Sequence, residues 1–151
     1  MSIDQDILQS KFRNEYQKAG VNLLYTYGWI MERTKELFAS EDITPQQFNI
    51  LRILRGSYPK PLSTLQIRER MIDKMSDTSR IVDRLITKGL VKKGTCKADR
   101  RLVDVMITDK GKKMLERLDK RQDELDNIID NLSEKEAAVL NELLDKIRRP
   151  K

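Results

Sequence analysis

Apolar and small residues recur at every third or fourth position near the start of the chain. Between residues 4 and 38 these positions hold Leu8, Phe12, Tyr16, Ala19, Leu23, Tyr27, Ile30, Thr34 and Leu37. Because an α-helix completes a turn in about 3.6 residues, this spacing places them on one helical face. The pattern therefore predicts one long amphipathic helix over 4–38, with Gly20 and Gly28 as candidate bends.

The last third of the chain shows the same helical spacing. Thr108 begins a predicted helix, and Ser133 with Glu136 forms a capping box, whose side chains bind the free N–H groups of a second helix start. The apolar side of the first helix comprises Leu115, Leu118, Leu125, Ile128 and Ile129, and that of the second comprises Leu140, Leu143, Leu144 and Ile147. Long helices are thus predicted at both ends of the chain.

A shorter helix is predicted directly after the first one. Thr44 is a suitable N-cap, Pro45 fits the first helical position, and Gln47 completes a capping box. The helix is expected to end near Gly56. Its inward-facing residues are predicted to be Phe48, Leu51 and Leu54.

Two further short helices follow, joined by a turn. Ser63 begins a second capping box, which predicts a helix to about Met71. Asp73 is the expected N-cap of a third helix over 74–88, which Gly89 terminates. The apolar stripe of this third helix is Ile81, Val82, Leu85 and Ile86. Two short helices around a tight turn predict a helix-turn-helix.

A β-hairpin is predicted after the third helix. Residues 90–93 and 102–107 favour strands, and Gly94–Arg101 connect them. The alternating apolar positions of the second strand are Val103, Val105 and Ile107. The predicted fold class is mainly α with a small β-wing, which is a winged helix-turn-helix.

Polar and cationic side chains occupy the predicted outward side of the third helix and its start. They are Lys74, Ser76, Asp77, Ser79, Arg80, Asp83 and Arg84. A helix that enters the major groove of DNA needs such side chains, because hydroxyl groups and arginines reach base edges and phosphates. The alternative is an ordinary amphipathic surface helix.

The positive charge of the chain is concentrated around this helix. The 151 residues carry a net charge of +6. Between Lys60 and Arg101 there are twelve Lys/Arg and five Asp/Glu, a balance of +7, whereas the other residues hold eighteen basic and nineteen acidic side chains. A concentrated positive segment indicates a surface that binds a polyanion, and nucleic acid is the favoured one.

The predicted hairpin contributes five of these cations. They are Lys92, Lys93, Lys97, Arg100 and Arg101, which are expected to reach the minor groove and its flanking phosphates. Asp99 is an acid within this cationic loop. Its expected role is to hold an arginine in a fixed orientation through paired hydrogen bonds.

Composition excludes several other classes of function. No apolar run approaches the length of a membrane span, and the first residues lack the pattern of a signal peptide, so a cytoplasmic protein without membrane contact is expected. The chain has one cysteine, Cys96, and no histidine. Neither a disulfide framework, a metal site, a cofactor nor an enzyme activity is expected.

Four segments occur in an order that resembles one known family. They read TPQQFNILRIL, LSTLQIRERM, SRIVDRLITKGLV and DRRLVDVMITDKG, and together they cover residues 44–111. This order is similar to that of the MarR (multiple-antibiotic-resistance regulator) winged-helix transcription factors. The terminal helices match the family more loosely.

The resemblance implies an architecture and a function. Residues 1–151 would form one MarR-type domain, in which 4–40 and 108–148 are dimerisation helices and 44–107 are the DNA-binding lobe. A homodimer would bind a pseudo-palindromic operator on double-stranded DNA, and repression is the usual outcome. By position, Lys74–Arg84 would form the recognition helix. Asp99, Arg100 and Arg101 would form the wing tip, with Arg101 as the first choice for minor-groove insertion and Arg100 as its competitor.

The resemblance also implies release by a small aromatic or phenolic acid bound between the two lobes. Candidate residues are the rings of Tyr25, Tyr27, Trp29 and Tyr58 and the cations Arg13, Arg33 and Arg52. Ordinary core packing is the favoured alternative for the rings, so the effector site is left open. The family's oxidation-sensing cysteines lie near the amino terminus, where this chain has none, so Cys96 is expected to have no redox role.

A different class of function fits the same surface. The helix and hairpin could dock on an acidic protein, so that the fold would act as a protein–protein interaction module. Binding to random duplex DNA distinguishes the two, because a DNA-binding protein binds it in a salt-dependent manner.

Overall fold

The computed structural model describes residues 2–95 and 103–150. The helices within these residues are α1 (Ile3–Asp6), α2 (Glu15–Ala39), α3 (Pro45–Ser57), α4 (Thr64–Arg70), α5 (Thr78–Thr87), α6 (Asp109–Asp119), α7 (Gln122–Asp126) and α8 (Glu134–Ile147). The strands are β1 (Leu62–Ser63), β2 (Val91–Thr95) and β3 (Val103–Ile107). The predicted fold class, mainly α with a small β-sheet, is confirmed.

The prediction of one helix over 4–38 is wrong at its start. The backbone of Leu8 has a φ of +52°, and its side chain is 93% exposed. The long helix α2 begins only after Asn14, whose side chain accepts a hydrogen bond from the backbone N–H of Gln17 at 2.9 Å. From there α2 continues through Gly20 and Gly28 without interruption.

The core lies in the middle of the chain, around α3. Ile50 and Leu51 of α3 have no exposed surface, and Leu54 is almost completely buried. The capping box of Thr44 forms as predicted, with the Gln47 N–H donating to the Thr44 hydroxyl at 3.1 Å. A fixed start and a buried face make α3 the helix on which the surrounding elements pack.

Helices α4 and α5 confirm the predicted helix-turn-helix but correct its second start. Ser63 caps α4 as predicted. Asp73 does not cap α5, because its carboxylate accepts a hydrogen bond from the Met75 N–H and closes a local turn. Asp77 is the N-cap instead, and its Oδ1 accepts from the Arg80 N–H at 3.2 Å. The third predicted helix, placed over 74–88, therefore begins about four residues later.

The sheet contains the predicted hairpin and one strand that the sequence did not indicate. The order is β1-β3-β2, with both pairs antiparallel. The two-residue strand β1 pairs through Leu62 with Val105. Val105 and Ile107 are buried as predicted, whereas Val103 at the outer end of β3 is exposed.

The hairpin is fixed to α5 and α6 by short contacts. Gly89 ends α5 with a φ of +72°, a conformation that favours glycine. The Thr108 hydroxyl donates to the Gly89 carbonyl at 2.7 Å and also accepts from the Gly111 N–H. A Cβ atom at Gly111 would lie 2.3 Å from the carbonyl oxygen of Leu90. Only glycine permits this approach.

The predicted helix after Thr108 is divided into α6 and α7, whereas α8 begins at its predicted capping box. No residue of α8, which the structure describes completely, is buried. Val139, Leu140, Leu143 and Ile147 are exposed on it. The single chain therefore leaves the apolar side of this helix uncovered.

Two bidentate ion pairs connect the region of α3 to α6. Arg55 contacts Asp119 at 2.6 and 3.1 Å, and Arg117 contacts Glu41 at 2.9 and 2.7 Å. The hydrogen bonds from Arg55 lower the pKa of Asp119, and those from Arg117 lower the pKa of Glu41. Asp119 is thereby held in its charged form as the partner of Arg55 in α3, and Glu41 as the partner of Arg117 in α6.

Within residues 2–95 and 103–150, no helix combines the length and hydropathy that crossing a membrane requires.

The close approach at Gly111 gives a test of this junction. We expect Gly111→Ala to destabilise the protein by about 2 kcal/mol or more, because a Cβ would overlap the Leu90 carbonyl and the Ile107 side chain. Gly56→Ala is the matched control, since nothing lies within 4 Å of its Cβ position in α3. It should leave stability unchanged or raise it by about 0.5–1 kcal/mol. Urea unfolding measures both, and equal stabilities for the two variants would contradict the packing described.

Candidate nucleic-acid interface

The exposed side of α5 carries two arginines one turn apart. Arg80 and Arg84 are both exposed, as is Ser79, whereas Val82 and Leu85 are buried. Residues four apart share one helical face, so the two guanidinium groups are presented in parallel. The predicted division of this helix into an apolar and a polar side is confirmed.

Three residues expected at the start of this helix lie in the turn before it. Lys74 is exposed, and its ammonium group donates to the backbone carbonyl of Glu69. Ser76 is half-buried. Asp77 is exposed, but its carboxylate is used as the N-cap of α5. The structure therefore separates these three from the helical face of Arg80 and Arg84.

The hairpin places one further lysine against α5. In the sheet Lys93 is opposite Val105, and Lys92 is opposite Met106. Directly opposite residues in a sheet share a face, so Lys93 lies on the side of the buried Val105 and Lys92 on the other side. The Lys93 ammonium group accordingly reaches Asp83 of α5 at 2.8 Å.

The pair of Lys93 with Asp83 was not anticipated from the sequence. From the sequence, Asp83 is only one of the polar residues of the predicted helix, and Lys93 is only one of the cations of the predicted hairpin. Both side chains are substantially exposed, so the pair is an accessible contact between helix and hairpin. Its signal in the sequence is weak, because it depends on the strand register. Lys92 is exposed on the opposite side of β2.

The remaining hairpin candidates are outside the described residues. These are Lys97, Asp99, Arg100 and Arg101, together with Cys96. Among the candidates that the structure describes, Arg80 and Arg84 on α5 and Lys92 and Lys93 on β2 are exposed cations, and Asp83 contacts Lys93.

A cavity of about 760 Å³ lies between α2, α3 and the turn that precedes α5. Its lining includes the rings of Tyr27 and Phe48 and the side chains of Asn49 and Arg52. The Arg52 guanidinium lies 5.7 Å from the centre of the Phe48 ring. The cations Arg52 and Lys74 and the carboxylate of Asp73 also line it. A largely apolar, ring-lined cavity with two cations suits a small aromatic acid.

Of the seven candidate effector residues, only Tyr27 and Arg52 line this cavity. Arg33 stacks on Trp29 at 3.6 Å from its ring centre, beside a different cavity. The Tyr58 ring is covered by the Lys112 ammonium group at 3.2 Å. Tyr25 lines a third cavity near the amino terminus, and Arg13 precedes α2. The expected rings are therefore distributed over several places.

Comparison with known proteins assigns the fold to a family. Residues 43–103 match the profile described as the MarR family. The MarR transcription factor from Planctomyces limnophilus is 31% identical, with 89% of this chain and 98% of that chain covered and a TM-score of 0.68. A cysteine-to-serine mutant of MarR from E. coli, complexed with operator DNA, is 25% identical, with 93% and 100% covered and a TM-score of 0.81.

A third structure shows the same fold at lower identity. It concerns the regulation of DNA binding of Bordetella bronchiseptica BpsR by 6-hydroxynicotinic acid, with 19% identity, a TM-score of 0.80, and 93% of this chain and 100% of that chain covered. A search of curated proteins finds no match. The identity to the Planctomyces limnophilus protein over nearly the whole chain, together with the winged helix-turn-helix and its exposed arginines, identifies this chain as a member of the MarR family of transcription regulators.

Proposed function

We propose that this regulator binds a specific pseudo-palindromic operator on double-stranded DNA as a homodimer and represses transcription until a small aromatic acid releases it. The observation that carries the proposal is the exposed pair Arg80 and Arg84 on α5, with the cationic strand β2 beside it. The similar E. coli structure holds operator DNA, which supports the same use of this surface. Family members are transcription factors rather than enzymes.

Helix α5 enters the major groove in this proposal. Arginine binds the O6 and N7 atoms of guanine through two hydrogen bonds, and a serine hydroxyl can contact several bases. Arg80, Arg84 and Ser79 therefore read base edges from the exposed face. Lys74 and Ser76, which precede the helix, contact the phosphate backbone, and Asp77 orients the first turn as its cap.

The hairpin lies beside the adjacent minor groove. Lys92 and Lys93 neutralise phosphates, and Lys97 extends this contact along the hairpin. Arg101, braced by Asp99, inserts into the minor groove, and Arg100 is the alternative for that position. A narrow minor groove attracts a guanidinium group because its negative potential is enhanced.

The terminal helices form the dimer in this proposal, from residues 4–40 and 108–148, and residues 44–107 form the DNA-binding lobe. Exposed apolar side chains support this division. Leu23, Leu24 and Tyr27 of α2 and Leu140, Leu143 and Ile147 of α8 are exposed in the single chain. Uncovered apolar surface on this scale favours a partner of the same kind. The two copies of α5 would then contact DNA about one helical turn apart.

The cavity between α2 and α3 is the proposed effector site. Arg52 would bind a carboxylate, and the rings of Tyr27 and Phe48 would contact an aromatic body. The cavity borders both the proposed dimer helix α2 and the turn before α5. A ligand that binds there can favour one arrangement of the two lobes over another.

Selection of bound sites from random duplex DNA tests the proposed function directly. We expect a pseudo-palindromic site, and we expect Arg84→Ala to weaken its binding by about 1–3 kcal/mol, or roughly 5- to 150-fold. Lys120→Ala, which removes an exposed cation at the end of α6, is the control and should bind normally. Anisotropy titrations measure both. Failure to bind any duplex at low salt would instead favour the protein-docking alternative.

Asp83 gives a second test, of selectivity. Asp83→Asn releases Lys93 and removes a negative charge from the interface, so binding to random DNA should tighten several-fold. The slope of log K against log salt should become steeper by about 0.9 for one added phosphate contact. The ratio of specific to random binding should fall. Asp123→Asn on the exposed α7 is the control, and an equal effect from both variants would indicate a mere change in net charge.

The oligomeric state tests the role of α8. Leu143 is 52% exposed in the single chain, so Leu143→Glu should leave each chain folded but dissociate the dimer. Sedimentation equilibrium should give a dimer for the natural sequence at micromolar concentration and a monomer for the variant. Asn141→Glu, at a neighbouring exposed position, should remain dimeric. A monomeric natural protein would rule out the proposed arrangement.

A further inference from the structure

The turn between α4 and α5 belongs to two sites at once. Met71, Ile72, Asp73 and Lys74 all line the cavity of about 760 Å³. The same residues lead within a few positions into the N-cap of α5. Any displacement of this turn therefore moves the start of the helix that carries Arg80 and Arg84.

A single side chain of α3 holds the backbone of this turn. The Oδ1 atom of Asn49 accepts a hydrogen bond from the N–H of Ile72 at 2.9 Å. Within residues 2–95 and 103–150, it is the one hydrogen bond between a side chain of α3 and the turn. Ile72 itself is 85% exposed, whereas the preceding Met71 is buried in the core, so the turn is held by packing at Met71 and by this hydrogen bond at Ile72.

The other polar contacts of the turn are local to the helix-turn-helix. The Asp73 carboxylate accepts from the Met75 N–H, and the Asp73 carbonyl accepts from the Ser76 N–H. The Lys74 ammonium group donates to Glu69 at the end of α4. These contacts give the turn its shape, whereas the Asn49 hydrogen bond and the buried Met71 hold it against α3.

Asn49 is also a neighbour of Arg52, one of the two cations that line the cavity. It precedes Arg52 by three residues, so the two side chains share one face of α3, and both line the cavity. The Nδ2 atom of Asn49 donates to no described residue. A carboxylate that approaches the Arg52 guanidinium would therefore find a second donor on Asn49.

We propose that Asn49 is a positioning residue that couples occupancy of this cavity to the orientation of α5. The proposal rests on the proposed function, because it assigns a mechanism to the effector site. A bound carboxylate accepts hydrogen bonds from Arg52 and from Asn49 Nδ2 and draws the carboxamide away from the Ile72 N–H. The released turn lets α5 leave the orientation that fits DNA, and the affinity for the operator falls.

Two substitutions separate this role from a merely structural one. Asn49→Ala removes both the acceptor for Ile72 and the donor for the ligand. Operator binding without ligand should weaken, and the ligand should have little further effect. Asn49→Asp retains an acceptor for the Ile72 N–H but removes the donor and repels a carboxylate. It should weaken operator binding less than Asn49→Ala does, and it should bind the ligand much more weakly than the natural protein.

The experiment uses the full chain, the selected operator and sodium benzoate, with benzyl alcohol as the uncharged control. Saturating benzoate should weaken operator binding by the natural protein at least fivefold, within the usual range of allosteric coupling. For Asn49→Ala, saturating benzoate should change the operator affinity less than twofold. Benzyl alcohol should have no effect on either protein. Calorimetry establishes that benzoate is bound in each case.

Amide hydrogen exchange supplies a second measurement that does not depend on DNA. Benzoate and Asn49→Ala should each accelerate exchange of the Ile72 amide. The Met75 amide, which is bonded to Asp73 within the turn, is the internal control and should be unchanged.

The outcomes separate the role of Asn49 from the existence of the proposed effector site. A full benzoate response in Asn49→Ala, or an unchanged Ile72 exchange rate with benzoate bound, overturns the role of Asn49 and leaves the proposed function intact. Absence of benzoate binding to the natural protein overturns the effector site and, with it, this inference. Loss of the response in Asn49→Ala, together with a smaller loss of operator binding in Asn49→Asp than in Asn49→Ala, supports it.

Discussion

The packing of α6 against the end of α5 is the constraint on which the presentation of the cationic surface depends. Gly111 lets the backbone of α6 approach the Leu90 carbonyl, and Thr108 bonds to the Gly89 carbonyl at the same point. The chain enters β2 after Leu90 and leaves β3 before Thr108, so both ends of this strand pair are held at the junction. The angle between helix and hairpin is thereby fixed before any DNA is bound, so little ordering free energy is lost on binding.

Burial is unevenly distributed between the two parts of the chain. The buried apolar residues are concentrated in the segment around α3, from Leu37 to Leu118, whereas α8 contributes none. A helix without a buried face gains little stability from the helix propensity of its residues, because most helical stability in proteins comes from tertiary packing. The central segment has its own core, to which α8 adds no buried side chain. Beside this core, the ion pairs of Arg55 with Asp119 and of Arg117 with Glu41 attach α6 to the region of α3.

Local chemistry was predictable from the sequence, whereas contacts between elements were not. The caps at Thr44, Ser63, Thr108 and Ser133 are correct because a cap depends on three or four neighbouring residues. Asp73 and Asp77 both suit a helix start, and only the turn closed by Asp73 decides between them. The spacing of apolar residues does not reveal the break at Leu8, because Leu8 itself fits the helical period. The pairs Lys93–Asp83 and Asn49–Ile72 join separate elements, so they require the register and the fold.

In the proposed function, the position of the cavity would let a small ligand act on the DNA-binding surface. Tyr27 belongs to α2, Arg52 to α3 and Lys74 to the turn before α5, so the lining of the cavity brings three elements together. A ligand can shift the balance between two arrangements only by its difference in affinity for them. The apolar lining contributes to such a difference, because a gap of about 0.5–1 Å already removes a quarter to a half of a dispersion contact. A hydrogen bond depends on direction as well as distance, so in the proposed mechanism the polar groups of Arg52 and Asn49 add to the difference in affinity.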